Sequence, residues 1–101
     1  MRPGATRDTS TEWVRGPLKI VLSRSHERLR FEHTERFEVI TLNWKDGILR
    51  GDARYSELEH SDDEMAAWAI EGWNLTIRLV KGTGGVRVVA TFGKEIFEIA
   101  V

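Results

Sequence analysis

In WNLTIRLVKGTGGVRVVATFGKEIFEIAV, residues 73–101, apolar side chains recur at every second position on either side of two turn sequences. Trp73, Leu75, Ile77 and Leu79 alternate with Asn74, Thr76 and Arg78, the period of a half-buried strand. Closing Lys81–Gly84 as a loop sets Leu79 opposite Val86, Ile77 opposite Val88, Leu75 opposite Ala90 and Trp73 opposite Phe92. Closing Gly93-Lys94 sets Ala90 opposite Phe97, Val88 opposite Ile99 and Val86 opposite Val101. Two independent turns thus predict one apolar face across three strands, and a slip by one residue in either would scatter it.

Working toward the N-terminus, residues 61–72 read as the single helix. Ser61 as N-cap and Glu64 three positions later match a capping box, with Asp62 and Asp63 in the first turn where the helix dipole favours anions. Met65, Trp68, Ala69 and Gly72 follow the helical i, i+3, i+4, i+7 stripe, and Gly72 ends it. Before the helix, Asp46-Gly47 is a hairpin signal that pairs Trp44 with Leu49, Leu42 with Gly51 and Ile40 with Ala53. Ser25-His26 as a loop pairs Leu22 with Leu29, Ile20 with Phe31 and Leu18 with His33, while Lys19 meets Glu32 on the other face. Strands are expected near Leu18–Ser23, Arg28–His33, Phe37–Trp44, Ile48–Tyr55, Trp73–Val80, Val86–Phe92 and Glu95–Val101. The fold class expected is α+β, mainly antiparallel β. Seven strands stand in a 4+3 meander arrangement, a sandwich or small barrel, with one short helix between the halves. Residues 1–12, rich in Gly, Pro, Ser, Thr and charge, read as a flexible tail before a single domain at 13–101.

Composition bounds the function. At 101 residues the chain holds one core, and with 41% hydrophobic and 31% charged residues it has a globular balance. Without cysteine it has no disulfide, thiolate metal site or thiol nucleophile. The longest apolar run, Met65–Ile70, is too short to cross a bilayer, and Met1–Glu12 has no signal-peptide core, so a cytoplasmic location with no membrane partner is expected. The net charge of −1 splits into +3 over residues 1–50 and −4 over 51–101.

The motifs that resemble chemistry have simpler readings. In Lys81-Gly82-Thr83-Gly84-Gly85 the lysine precedes the glycines and a strand comes after them, whereas a phosphate loop ends in Gly-Lys-Ser/Thr and opens a helix. His26, His33 and His60 lack the spacing that aims two imidazoles at one metal, so neither a metal nor a cofactor is expected. Ser23, Ser25 and His26 bring hydroxyls near an imidazole without a nucleophile elbow. Arg24, Arg28, Arg30 and Arg36 beside Phe31 and Phe37 suggest a nucleic-acid face, but glutamates interleave with them and Phe31 falls on the inward phase, which argues against nucleic acid.

Three ideas remain. Closing Thr34-Glu35 places Glu38 on the inward face with His33, and the Asp46-Gly47 register sets Tyr55 across from Glu38, a polar ligand pocket; a bulge near Phe37 would instead bury Phe37 and expose Glu38. Trp13, ahead of the first strand, either folds back or anchors a partner, and Glu57, Glu59, Asp62 and Asp63 form an acidic stretch suited to steering a basic one. The expected function is therefore a non-catalytic protein-binding or regulatory module, acting on a protein partner or by self-association as a homodimer. A small-ligand carrier or minimal enzyme with a pocket between the halves, and weak nucleic-acid binding, are the alternatives.

Overall fold

The computed structural model describes residues 11–101, and it is all-β. Ten strands form two antiparallel sheets of five. The first sheet is a meander in chain order: β1 (Thr11–Arg15), β2 (Leu18–Ser23), β3 (Arg28–His33), β4 (Glu38–Asn43) and β5 (Ile48–Gly51). The second is a meander too: β6 (Tyr55–Glu57), β7 (Glu64–Ile70), β8 (Leu75–Gly82), β9 (Gly85–Phe92) and β10 (Glu95–Ala100). One buried cluster draws on the inner phase of both, including Ile20, Phe31, Ile40 and Leu42 from the first sheet and Trp68, Leu75, Ile77, Val88 and Ile99 from the second. The sheets therefore stack as a sandwich. Arg15 Nε lies 3.5 Å from Glu95 Oε2, which sets β1 over β10. The Tyr55 hydroxyl donates to the Leu49 carbonyl at 3.0 Å, which sets β5 beside β6.

This corrects the expected α+β fold: among the described residues there is no helix, and ten strands replace seven. The three additional strands are β1, β6 and β7. Strand β1 begins at Thr11, inside the stretch read as tail; residues 1–10 of that tail lie outside the described residues. The strand expected at Ile48–Tyr55 is cut at Gly51, and Tyr55 opens β6 in the other sheet.

The helix read over residues 61–72 is instead a turn leading into β7. The local chemistry of the capping box survives in part: the Ser61 backbone N–H donates to Glu64 Oε1 at 3.1 Å, and Glu64 N–H donates to the Ser61 carbonyl at 3.0 Å. Residues 64–70 form a strand because Ala66, Trp68 and Ile70 also alternate, and their period-two face meets Leu79, Ile77 and Leu75 of β8. A helix of this length gains little on its own; as a strand the segment hydrogen-bonds along β8 and closes the core with Trp68 and Ile70. Met65 is the extra residue where the register shifts between Glu64 and Ala66, a bulge that leaves it exposed.

Hairpin geometry explains the registers. Four loops of four residues, 24–27, 34–37, 44–47 and 71–74, join paired strands, and each ends in the left-handed region: Glu27 (φ 56°), Phe37 (φ 53°), Gly47 (φ 69°) and Asn74 (φ 56°). Such loops are built around a type I turn, and the left-handed residue returns the chain to the partner strand. Leu22 faces Leu29 and Ala90 faces Phe97 as the turn sequences imply. The other three hairpins are displaced by two residues: Leu42 faces Leu49, Phe31 faces Ile40 and Leu79 faces Val88. A displacement of two keeps every side chain on its face, so the core survives the difference.

Candidate functional site

Antiparallel alternation puts the loops at two ends of the sandwich. Loops 34–37, 52–54, 71–74 and 93–94 share one end, and loops 24–27, 44–47, 58–63 and 83–84 share the other. Between the ends, each sheet turns one face outward.

The outer face of the first sheet carries the most distinctive constellation. Arg28 faces Asn43 and Arg30 faces Thr41 across β3 and β4, while Thr41 faces Arg50 across β4 and β5. All three arginines are exposed, and the floor between them is the short polar pair Thr41 and Asn43. Two strand spacings separate β3 from β5, so cationic walls stand roughly 10 Å apart over β4. The result is a groove of about 360 Å³ lined by Arg28, Thr41, Asn43, Asp46, Ile48 and Arg50. It adjoins a smaller hollow of about 210 Å³ toward β2, which shares Arg28 and Thr41 and adds Arg30, Ser23 and His26. Asp46 sits at the rim in loop 44–47, where its backbone N–H donates to Asn43 Oδ1 at 3.2 Å and fixes that amide.

The charges here are not all committed. Arg30 pairs with Glu32 at 2.9 Å. Arg28 and Arg50 have no ion pair or side-chain hydrogen bond among the described residues. Guanidinium forks of this kind recognise carboxylate or phosphate oxygens in pairs. Of the four arginines the sequence singles out, the other two serve the fold: Arg24 donates to the Ala100 carbonyl at 2.9 Å, and Arg36 Nε to Glu38 Oε1 at 3.0 Å. Arg50 is not among those four. Its signal in the sequence is an outward phase, which places it on the face of Arg28 and Arg30.

The pocket expected from His33, Glu38 and Tyr55 is distributed differently. His33 and Glu38 are register partners at the end of β3 and β4, but Tyr55 stands in β6 of the other sheet. The bulge that would bury Phe37 and expose Glu38 does not occur: Phe37, which closes loop 34–37, is 89% exposed, and Glu38 keeps the inward phase with its side chain 26% exposed. Glu38 Oε1 accepts the indole N–H of buried Trp73 at 2.8 Å as well as Arg36. His33 is buried, accepts the Arg36 backbone N–H at Nδ1 (3.2 Å), and lies 5.4 Å ring to ring from Trp73. A buried indole N–H needs an acceptor, and Glu38 supplies it. These groups seal one end of the core and bridge the sheets.

The Trp73 bond, followed by that from Arg36, holds the Glu38 carboxyl below its ordinary 4.5. A depressed carboxyl contributes stability above its unfolded value and loses it as pH falls through the folded one. Trp73→Phe removes the chief cause, so the gap in urea midpoint between the native chain and the variant is expected to be larger at about pH 7 than at about pH 3. An equal gap at both would show that the indole does not hold the carboxylate.

The remaining expected partner residues are dispersed. Trp13 lies on the inward phase opposite Ile20 and packs against the core. Glu57, Glu59, Asp62 and Asp63 are exposed on β6 and the loop after it. Asp63 accepts the Ser61 hydroxyl at 2.7 Å, the main reason its carboxyl lies below its ordinary value. The Ser23 and Ser25 hydroxyls lie 2.9 and 3.2 Å from His26 Nδ1 beside the smaller hollow. Among the described residues no three His, Asp or Glu side chains converge as a metal ion requires. No family model matches the chain, and comparison with curated proteins and with solved structures gives no match either.

Proposed function

We propose that the chain is a non-catalytic recognition domain that binds an acidic protein segment along the arginine-lined groove. The observation behind this reading is the pair Arg28 and Arg50, uncommitted on opposite walls above Thr41 and Asn43. Two guanidinium groups without carboxylate partners repel each other across the groove, and a ligand carboxylate relieves that repulsion while making charge-assisted bonds.

The make-up of the face favours protein over nucleic acid. Single-stranded nucleic acid is held by aromatic side chains on which bases stack. Neither the groove, with Ile48, nor the adjoining hollow, with Val21 and His26, is lined by Phe, Tyr or Trp, and Phe31 faces the core. The overall charge of −1 supplies no general attraction to a phosphate backbone.

The test is an amide-resolved NMR titration with three probes: an octaglutamate peptide, an octathymidylate and inorganic phosphate. Octaglutamate is expected to shift the amides of Arg28, Thr41, Asn43 and Arg50, and Arg28→Glu with Arg50→Glu to weaken that binding at least ~10-fold. Absence of shifts at those four residues would dispose of the reading, and stronger binding of octathymidylate would transfer the face to nucleic acid.

A further inference from the structure

The same molecule carries the chemical counterpart of its groove. Glu57, Glu59 and Asp62 are exposed, and no ion pair or side-chain hydrogen bond among the described residues engages them. They belong to edge strand β6 and the 58–63 loop that leaves it. The groove opens beside edge strand β5, and β5 and β6 are joined by Tyr55 on Leu49. Uncommitted cations and uncommitted anions therefore share one side of the sandwich, yet the loop does not reach its own groove.

The same side also carries apolar exposure. Of the six large hydrophobic residues exposed among the described residues, Ile48, Tyr55 and Met65 belong to β5, β6 or the start of β7, while Val14, Phe37 and Ile96 stand apart from one another on β1, loop 34–37 and β10. Ile48 lines the groove, and Met65 lines a hollow with Gly47, Glu57 and His60 at the base of the loop. Both edge strands are short, four and three residues, and leave outward-pointing backbone groups.

We infer that the groove receives the 57–63 segment of a second copy of this chain. This rests on the groove being a site for acidic protein segments and names that segment. A two-fold axis beside β5 and β6 sets each acidic loop on the other copy's arginines, so two identical contacts close the pair without leading to a filament. Ile48, Tyr55 and Met65 then lose water at the centre of the contact, with the charged pairs around them. Opposed patches also speed encounter and make the association salt-sensitive.

The experiment is sedimentation equilibrium on the full chain. The native chain is expected to dimerise, with a dissociation constant at least ~10-fold higher at about 500 mM than at about 50 mM NaCl. A groove-reversed form, Arg28→Glu with Arg50→Glu, and a loop-reversed form, Glu59→Arg with Asp62→Arg, are each expected to be monomeric. An equimolar mixture of the two is expected to form a heterodimer, because both of its contacts are complementary: reversed groove meets reversed loop in one, and native groove meets native loop in the other. All four residues are exposed, so unchanged circular dichroism and melting establish that the variants are folded. A native chain that stays monomeric, variants that dimerise as the native chain does, or a mixture that stays monomeric would each overturn the inference. The octaglutamate titration separates the two levels: groove shifts without self-association leave the groove as an acidic-protein site for another partner, whereas their absence removes both.

Discussion

Phe31→Ala is expected to lower the unfolding free energy by about 3–5 kcal/mol, the cost of truncating a phenylalanine in a tightly packed core. Phe31 has no solvent exposure, stands in the middle strand of the first sheet, and is flanked in register by Ile20 and Ile40. Its inner side is covered only because the second sheet stacks on it. In a lone meander the ring would be half exposed, and removing it would cost on the order of 1 kcal/mol. The size of the loss therefore reports the stacking as well as the residue. Domains of this size hold about 5–15 kcal/mol in all, so the variant is expected to melt many degrees lower. Ile96→Ala, on the exposed outer face of β10, is expected to change stability by less than about 0.5 kcal/mol. Urea denaturation of both variants makes the comparison; a Phe31→Ala loss near 1 kcal/mol would mean the sheets are not packed together.

Period-two alternation carries most of this fold in the sequence, because it survives errors that turn chemistry does not. Leu75, Ile77, Val88 and Ile99 are buried as the alternation requires, although Leu79 faces Val88 and not Val86. Loop length is the weak link. Asp46-Gly47 reads as a two-residue hairpin turn, yet Gly47 is the fourth residue of a four-residue loop, and the left-handed conformation it supplies is supplied by Phe37 in the preceding hairpin. Phenylalanine is a poor sequence marker for that conformation, so nothing local announces that the loop read at Thr34-Glu35 extends to Phe37. The segment at 64–70 is ambiguous for another reason. Its Ala and Trp residues satisfy a helical stripe and a strand alternation together, and only pairing with β8 decides between them.

The candidate site is legible in parts and not as a whole. Arg28 and Arg30 stand out by proximity in the chain, and the Asp46-Gly47 turn predicts Asn43 opposite Arg50 on the outward phase. The structure sets Thr41 there instead, which brings Arg50 level with Arg30 across β4. Together with the equal displacement between β3 and β4, this two-residue displacement moves Arg50 from the level of loop 24–27 to that of Arg30, where the arginines face each other. The polar cluster at the other end shows the reverse. His33 and Glu38 read as part of a ligand pocket, but Trp73, distant in sequence, supplies the donor that ties Glu38 into the core seal. Sequence shows that a polar group points inward; only the partner from the opposite sheet shows what it is for.

Gly51→Ala is expected to destabilise the domain by about 3 kcal/mol or more, although it adds a single methyl group. Gly51 ends β5, directly before the chain crosses to the second sheet, and it faces Ile40 on the inward phase. Its φ of 154° falls in a region that side-chain-bearing residues rarely adopt. A β-carbon there would collide with the Val39 carbonyl oxygen and lie 2.7 Å from Ile40 Cα. Both are backbone atoms of a paired strand, so no rotamer change relieves the contact. The Asp52 N–H bond to the Val39 carbonyl, 2.8 Å long, fixes the crossover at the same point and would be strained with it. Gly84→Ala is the matched control: it lies in a turn, a β-carbon there meets nothing within 4 Å, and the expected change is within about 0.5 kcal/mol. Chemical denaturation of the two variants reads the difference. A Gly51→Ala chain as stable as the Gly84→Ala chain would mean that β4 and β5 do not approach as described, and the opposition of Arg30 and Arg50 across Thr41 would fail with them.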